Sequence, residues 1–430
     1  MNLAQRDRKV LWHPYTQEKT APPPIPIIRG EGVWLYTEDG RKILDGISSW
    51  WVNIHGHSHP FLNAALANQA NELEHTMFAG FTHKPAVELA EKLVAILPKG
   101  LTRVFYSDNG STAVEVALKM AYQFWLNCGG RKRRTFVAFE NAYHGDTFGA
   151  MATSDKSAFT KPFQNLLFKV LRARLPNNCG KKKTKGIEEI LEKNHREIAA
   201  VIIEPMLQGA GGMIIWEAKF LKKIRELCDN FDVLLIADEV LTGFGRTGKM
   251  FACEHADISP DIICLSKALT AGYLPLGATV ATEEIYQAFL SNDRTKTFFH
   301  GHSYTANPLA CAVGAASLEL FKHENCLEKI AFINQKFNQF AAKVSELNCV
   351  GKARAIGGIL VIELLSENSG YFADIGQKLY QEFLVRDILL RPLGNVLYFM
   401  PPYIISESEI DWVLNEIEDV IKTLSTKKTY

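Results

Sequence analysis

Two side chains in this sequence have the types and spacing for covalent chemistry on a flat cationic ring. Lys267 lies two residues beyond the apolar run Ile262-Ile263-Cys264-Leu265, in Leu265-Ser266-Lys267-Ala268. A lysine among small residues at a strand end can be partly desolvated, which lowers its pKa and yields a nucleophilic amine. Taken alone, a surface lysine is the better reading. Asp238 ends Leu234-Leu235-Ile236-Ala237 and precedes Glu239. An acid there is costly to desolvate without a partner. It reads either as a cap or surface ion pair, or as an acid that holds a cationic ring nitrogen. On adjacent strands the two together change the balance, because an imine-forming lysine plus a pyridinium-pairing acid is what pyridoxal 5'-phosphate requires.

A phosphate also needs a cradle. Asn109-Gly110-Ser111 joins a strand to a helix N-terminus, where bare N–H groups and the positive dipole end suit a dianion; Ser111 serves equally well as a plain N-cap. Tyr143, in Tyr143-His144-Gly145, follows the strand ending at Phe139, and suits stacking on a flat ring as well as it suits a core. Gly243-Phe244-Gly245-Arg246-Thr247-Gly248 matches the dinucleotide fingerprint G-x-G-x-x-G in letters only. No helical stripe opens at once after it, and its acids precede the glycines, so it reads as a glycine-rich loop. His55, His57 and His59 alternate without an acid or thiol nearby in sequence, which favours incidental loop histidines over a metal site.

These residues need a frame that brings strand ends together. From Arg103 onward short apolar runs (104–106, 136–139, 200–203, 233–237, 262–265 and 276–280) alternate with helical stretches such as 113–125 and 220–228. Doubly apolar strands alternating with helices predict an α/β protein with a mainly parallel sheet covered on both faces. Ligands of such sheets bind beyond the strands' carboxyl ends. Residues 11–30 are irregular, with Pro14, Pro22, Pro23, Pro24 and Pro26 forbidding helix, and 32–44 read as a hairpin. A helix is expected over 60–74. Beyond residue 320, helices near 327–347, 372–386 and 407–424 alternate with strands at 359–364 and 396–400. The expected division is an N-terminal segment 1–59 that joins a small α+β domain, a large domain 60–320, and the C-terminal small domain 321–430.

Lys plus Arg is 48 and Asp plus Glu 47, a net charge of +1 that gives no global field for nucleic acid or a membrane surface. The basic runs 131–134 and 181–185 read as solvated loops. Eight cysteines without a C-x-x-C pair suggest buried thiols in a reducing compartment. With a polar N-terminus and no membrane-length run, a cytoplasmic protein is expected.

Over nearly its whole length the chain resembles the class III, fold-type I pyridoxal-phosphate aminotransferases. The stretches that carry this are Trp12-His13-Pro14-Tyr15-Thr16, Asp45 to Trp51, Tyr143 to Met151, Glu204-Pro205, Gln208 to Met213, Ile236 to Glu239, Gly243 to Gly248, Ser266 to Thr270, Asn307 to Cys311, Arg391-Pro392 and Met400 to Tyr403. The resemblance implies a large domain with a mainly parallel seven-stranded sheet. It also implies that Lys267 binds the cofactor aldehyde and shuttles a proton, that Asp238 keeps the ring nitrogen protonated, and that Gly110 and Ser111 hold the phosphate. Tyr143 would stack on the cofactor and face the substrate. The double tryptophan, Tyr15 and Arg391 belong to one branch of the family. They imply an 8-amino-7-oxononanoate pocket walled by Trp50 and Tyr15, with Arg391 clamping the distal carboxylate and S-adenosyl-L-methionine as amino donor, in biotin biosynthesis. Tyr15 would share in catalysis. His300 to Tyr304 resembles a loop that reaches the neighbouring subunit's phosphate, which implies a homodimer with shared sites. Gly301 would touch substrate there, and His302 and Ser303 the cofactor. The family often has Gly-Pro-Thr in this loop. Relatives with Gly-His-Ser include users of lysine as donor, so lysine, or a sister ω-aminotransferase reaction, is the alternative.

Overall fold

The computed structural model describes residues 1–175, 186–366 and 374–426. Its central sheet has seven strands in the spatial order Leu101–Ser107, Gly277–Thr282, Ile262–Leu265, Leu234–Asp238, Ile198–Ile203, Thr135–Phe139 and Val170–Ala173. The last five of these run parallel. All six residues of Ile198–Ile203 are buried, as a strand covered on both faces requires.

Period-two alternation divides the strands between two layers. Phe136, Ala138, Ile202 and Ile236 pack with the helix Gly110–Asn127, while Val137, Phe139, Val201 and Leu235 pack with Ile187–Asn194 and Ala218–Asn230. Gly277–Thr282 departs from the βα alternation and runs antiparallel to both neighbours. Only the short turn containing Lys267–Thr270 joins it to Ile262–Leu265. That is too little chain for a parallel crossover, so the strand must return.

The hairpin expected at 32–44 is formed by Trp34–Thr37 and Lys42–Asp45, the second of which runs parallel to Ile388–Leu389. The N-terminal segment is thereby tied to the C-terminal part. There, Val350–Ile356, Ile359–Leu364 and Val396–Phe399 form an antiparallel sheet whose core is shared with the helices Cys326–Val344 and Glu407–Thr426.

Several elements differ from expectation. Ile27–Glu31 is an edge strand inside the stretch read as irregular; it begins one residue after Pro26, where proline no longer removes a ladder donor. The helices Lys84–Ile96 and Pro308–His323 each carry a proline in their first turn, where its missing N–H costs nothing. Arg133 is no solvated residue: its guanidinium lies 3.8 Å from the Trp125 ring centroid and 2.8 Å from the Asp232 carboxylate. The run 181–185 lies outside the described residues. Among the described residues no helix is long and apolar enough to cross a membrane.

Candidate active site

The carboxyl ends of the parallel strands open into a cavity of about 640 Å³. Lys267, Asp238, Gly110, Ser111 and Tyr143 all line it. Asp238 is the last residue of its strand and pairs in register with Cys264, while Lys267 starts the turn after the neighbouring strand. One amine and one carboxylate therefore come from adjacent β-ends to the same space.

Lys267 has a left-handed backbone, φ +46°. Its Nζ stands 4.5 Å from the Trp51 ring centroid, and among the described residues it makes no hydrogen bond or ion pair. Burial pushes the amine down to about 8; Asp238 and Glu204 oppose the shift and Arg246 adds to it. A lysine in this state holds a usable fraction of neutral amine near physiological pH.

Asp238 Oδ2 lies 2.7 Å from Nδ1 of the buried His144, and Oδ1 accepts from the Val240 N–H at 3.1 Å. His144 Nε2 is buried without a hydrogen-bond partner among the described residues. Glu204 caps the neighbouring strand Ile198–Ile203 and accepts from the Tyr143 and Gly209 N–H groups, each at 3.0 Å. Burial raises its carboxyl to about 7.

At the cradle, the Asn109 side chain accepts from the Thr112 N–H at 3.0 Å and so caps the helix Gly110–Asn127. The N–H groups of Gly110 and Ser111 belong to the first turn and have no intrahelical acceptor. A Cβ on Gly110 would meet Val240 Cγ1 at 2.6 Å, and one on Gly145 (φ +132°) would clash with Ser111 Oγ. Glycine at both positions keeps backbone close around Ser111.

Tyr15 reaches this cavity from the N-terminal segment. Its hydroxyl donates to the Asp146 carboxylate and lies 3.2 Å from the Tyr143 hydroxyl. Burial, first of all, raises the Tyr143 phenol above its ordinary range. The Tyr15 ring meets Trp50 edge-on at 5.6 Å, and the Arg391 guanidinium lies 4.7 Å from the Trp50 ring centroid. Tyr15, Trp50 and Arg391 thus form one contiguous group beside the Lys267 cavity. Gly301, His302 and Ser303 line neither this cavity nor the one next to it.

The aminotransferase class III family matches residues 15–421. This chain is a class III aminotransferase. It is 47% identical over 420 residues to the adenosylmethionine-8-amino-7-oxononanoate aminotransferase of Synechococcus elongatus, covering 96% of this chain and 98% of the relative. The crystal structure of the Methanocaldococcus jannaschii protein of the same name superposes with a TM-score of 0.93 at 39% identity, covering 98% of each chain. The Pseudomonas jessenii omega transaminase in complex with PMP gives a TM-score of 0.93 at 27% identity over 100% of both chains.

Class III aminotransferases depend on pyridoxal phosphate, and the residues of this aminotransferase suit that group. The cavity supplies an amine that makes no hydrogen bond or ion pair among the described residues, an acid held by histidine, and the first-turn N–H groups of Gly110 and Ser111, with glycine at 110 and 145 where a Cβ would clash. The glycine-rich segment Gly243–Gly248 is a tight turn instead of a nucleotide loop. It is followed by a 3-10 turn, Ala252–Ala256, and its Arg246 is fully buried against the carbonyls of Trp51 and Pro401.

Reasoning from the sequence missed His144 and Glu204. Glu204 directly follows an unbroken apolar strand, so the rule that singled out Asp238 was enough to find it. His144 had no signal beyond lying next to Tyr143. The alternating histidines are not incidental either. His55 lies 3.1 Å from the Ser317 carbonyl, His57 2.9 Å from Asp45 and His59 3.2 Å from Glu324. Folding also brings Cys326 beside His55, so an acid and a thiol distant in sequence do stand near. Lys329 already pairs with Glu324 at 3.0 Å, and burial pushes the Cys326 thiol up to about 12, away from the thiolate a soft metal needs.

Proposed function

We propose that this aminotransferase moves an amino group from S-adenosylmethionine to the 7-oxo carbon of 8-amino-7-oxononanoate, a step toward biotin, and does so on pyridoxal phosphate. The observation that carries the reading is the convergence of Lys267 and Asp238 on one cavity, next to the Tyr15–Trp50–Arg391 group. The names of the relatives support the choice of substrates.

Pyridoxal phosphate, when bound, supplies an aldehyde carbon that takes up the amino group and a ring that accepts the electron pair left by a departing proton. Lys267 would hold the aldehyde carbon at rest. Once displaced by substrate, its Nζ would carry the proton off the substrate carbon and return it, the task for which a depressed pKa suits it. Asp238, fixed by His144, would hold the ring N–H. The N–H groups of Gly110 and Ser111 would hold the phosphate dianion.

On the acceptor side, the Trp50 and Tyr15 rings offer an apolar wall for a run of methylenes. Arg391, stacked against the Trp50 ring, would take the far carboxylate in a two-point hydrogen bond. The loop 300–304 would reach the phosphate in a second copy of the chain, with Ser303 as hydroxyl donor, giving a cytoplasmic homodimer. The direct test is a donor and acceptor panel on purified enzyme. Amination of 8-amino-7-oxononanoate by S-adenosylmethionine is expected. Turnover with lysine alone, or with unrelated ω-amines in place of the keto acid, would overturn the substrate assignment.

A further inference from the structure

Beside the Lys267 cavity lies a second chamber of about 820 Å³, between the proline-rich N-terminal segment and the helix Asp374–Leu384. Its volume lies within the ~300–1,000 Å³ common for small-molecule sites. The two chambers meet at Tyr15, which lines the second while its hydroxyl touches Tyr143 and Asp146 of the first. Arg391 also lines the second chamber and leans on Trp50, whose ring in turn meets the Tyr15 ring. An acceptor whose carboxylate ends at Arg391 leaves most of this volume unused.

We infer that the second chamber takes the purine nucleoside end of the amino donor, with Tyr15 as the partition between the reacting and recognition halves of one site. This rests on the donor reading proposed above and adds to it a place for the part of the donor that does not react.

The chemistry of the wall favours an uncharged heteroaromatic nucleoside over a nucleotide. The rings of Pro23 and Pro24 and of the half-buried Tyr380 offer flat apolar surface, while Gln377 and Gln381 offer amide donors and acceptors for a base edge. No basic cluster awaits a phosphate. Arg41 is already engaged by Asp39 and Asp387, each at 3.5 Å, and Glu18 and Asp374 offset the charge of Arg41 and Arg391 in the lining. A cationic sulfonium donor is compatible with such a balanced wall, which holds no excess positive charge to attract a chain of phosphates.

The test uses cofactor-loaded enzyme and 5'-methylthioadenosine, which has the nucleoside and the sulfur but no amine to transfer. Calorimetric binding of this probe is expected, weakened at least about tenfold in Tyr380→Ala and in Gln377→Ala. The same variants should raise KM for S-adenosylmethionine more than KM for 8-amino-7-oxononanoate, which separates lost recognition from general damage. Absence of probe binding, or probe affinity and KM ratio unchanged in both variants, overturns the inference. If the probe binds and the variants weaken it while S-adenosylmethionine gives no turnover, the chamber stands and the donor assignment falls. If S-adenosylmethionine turns over normally in both variants, the donor assignment stands and the chamber falls.

Discussion

Two parts of the molecule use the same buried residue types to opposite ends. Around His55–His59, each imidazole meets an oxygen: Ser317 O, the Asp45 carboxylate, and the Glu324 carboxylate, which Lys329 neutralises. Asp45, fully buried, also accepts from the Ser49 N–H and hydroxyl and from the Ile47 N–H. Most of the polar capacity of these histidines and of Asp45 is used there, and the segment is braced. Around Lys267, capacity is left over. Among the described residues the amine has an aromatic ring and no hydrogen-bond partner and His144 Nε2 has none either, while Glu204 is raised to about 7. Buried polar groups left unmatched cost stability, and they persist where a ligand completes them.

The contrast can be broken experimentally, and the largest effect is expected at Lys267. Lys267→Ala should cut turnover by at least about 10³-fold without lowering Tm, since no ion pair is lost. A variant that unfolds would place Lys267 with the braces. Asp238→Asn should cut kcat by about 10²–10³-fold, the scale of one lost charge-stabilising group at a reaction centre, with cofactor still bound at saturating concentration. Arg391→Lys loses the planar fork, so KM for the keto acid should rise about tenfold or more while KM for the donor changes less; steady-state kinetics on both substrates read this out. In the braced region, His57→Ala should lower unfolding free energy by about 2 kcal/mol in a denaturant titration, because the buried Asp45 loses its imidazole partner, with kcat close to wild type in steady-state assays.

The smallest effect is on pH dependence. The folded pKa of Lys267 lies below its unfolded value of 10.5, at about 8. Between those values the unfolded chain binds the extra proton, so the stability of cofactor-free enzyme should climb as pH rises through that window. Lys267→Met should flatten the climb. Activity should decline below about pH 8 as the amine becomes protonated.

Much of the site was legible because strand-end position is written in the apolar runs: Asp238 directly follows one and Lys267 lies two residues beyond the next. The braces were not, because Glu324 and Cys326 are remote from His55 and His59 in sequence and come near only when the helix Pro308–His323 packs on the helix Pro60–Glu72. The antiparallel strand Gly277–Thr282 was recognisable as a strand, yet its direction depends on a short turn whose geometry periodicity does not encode. Arg133 carried charge and looked solvated, but its stem and fork are consumed by Trp125 and Asp232.

Borohydride reduction of the purified, cofactor-loaded protein followed by peptide mass spectrometry addresses the central claim most directly. The phosphopyridoxyl mass should appear on the peptide containing Lys267 and be lost in Lys267→Ala. The same mass on another lysine, or on none, would contradict the assignment of this amine to the cofactor.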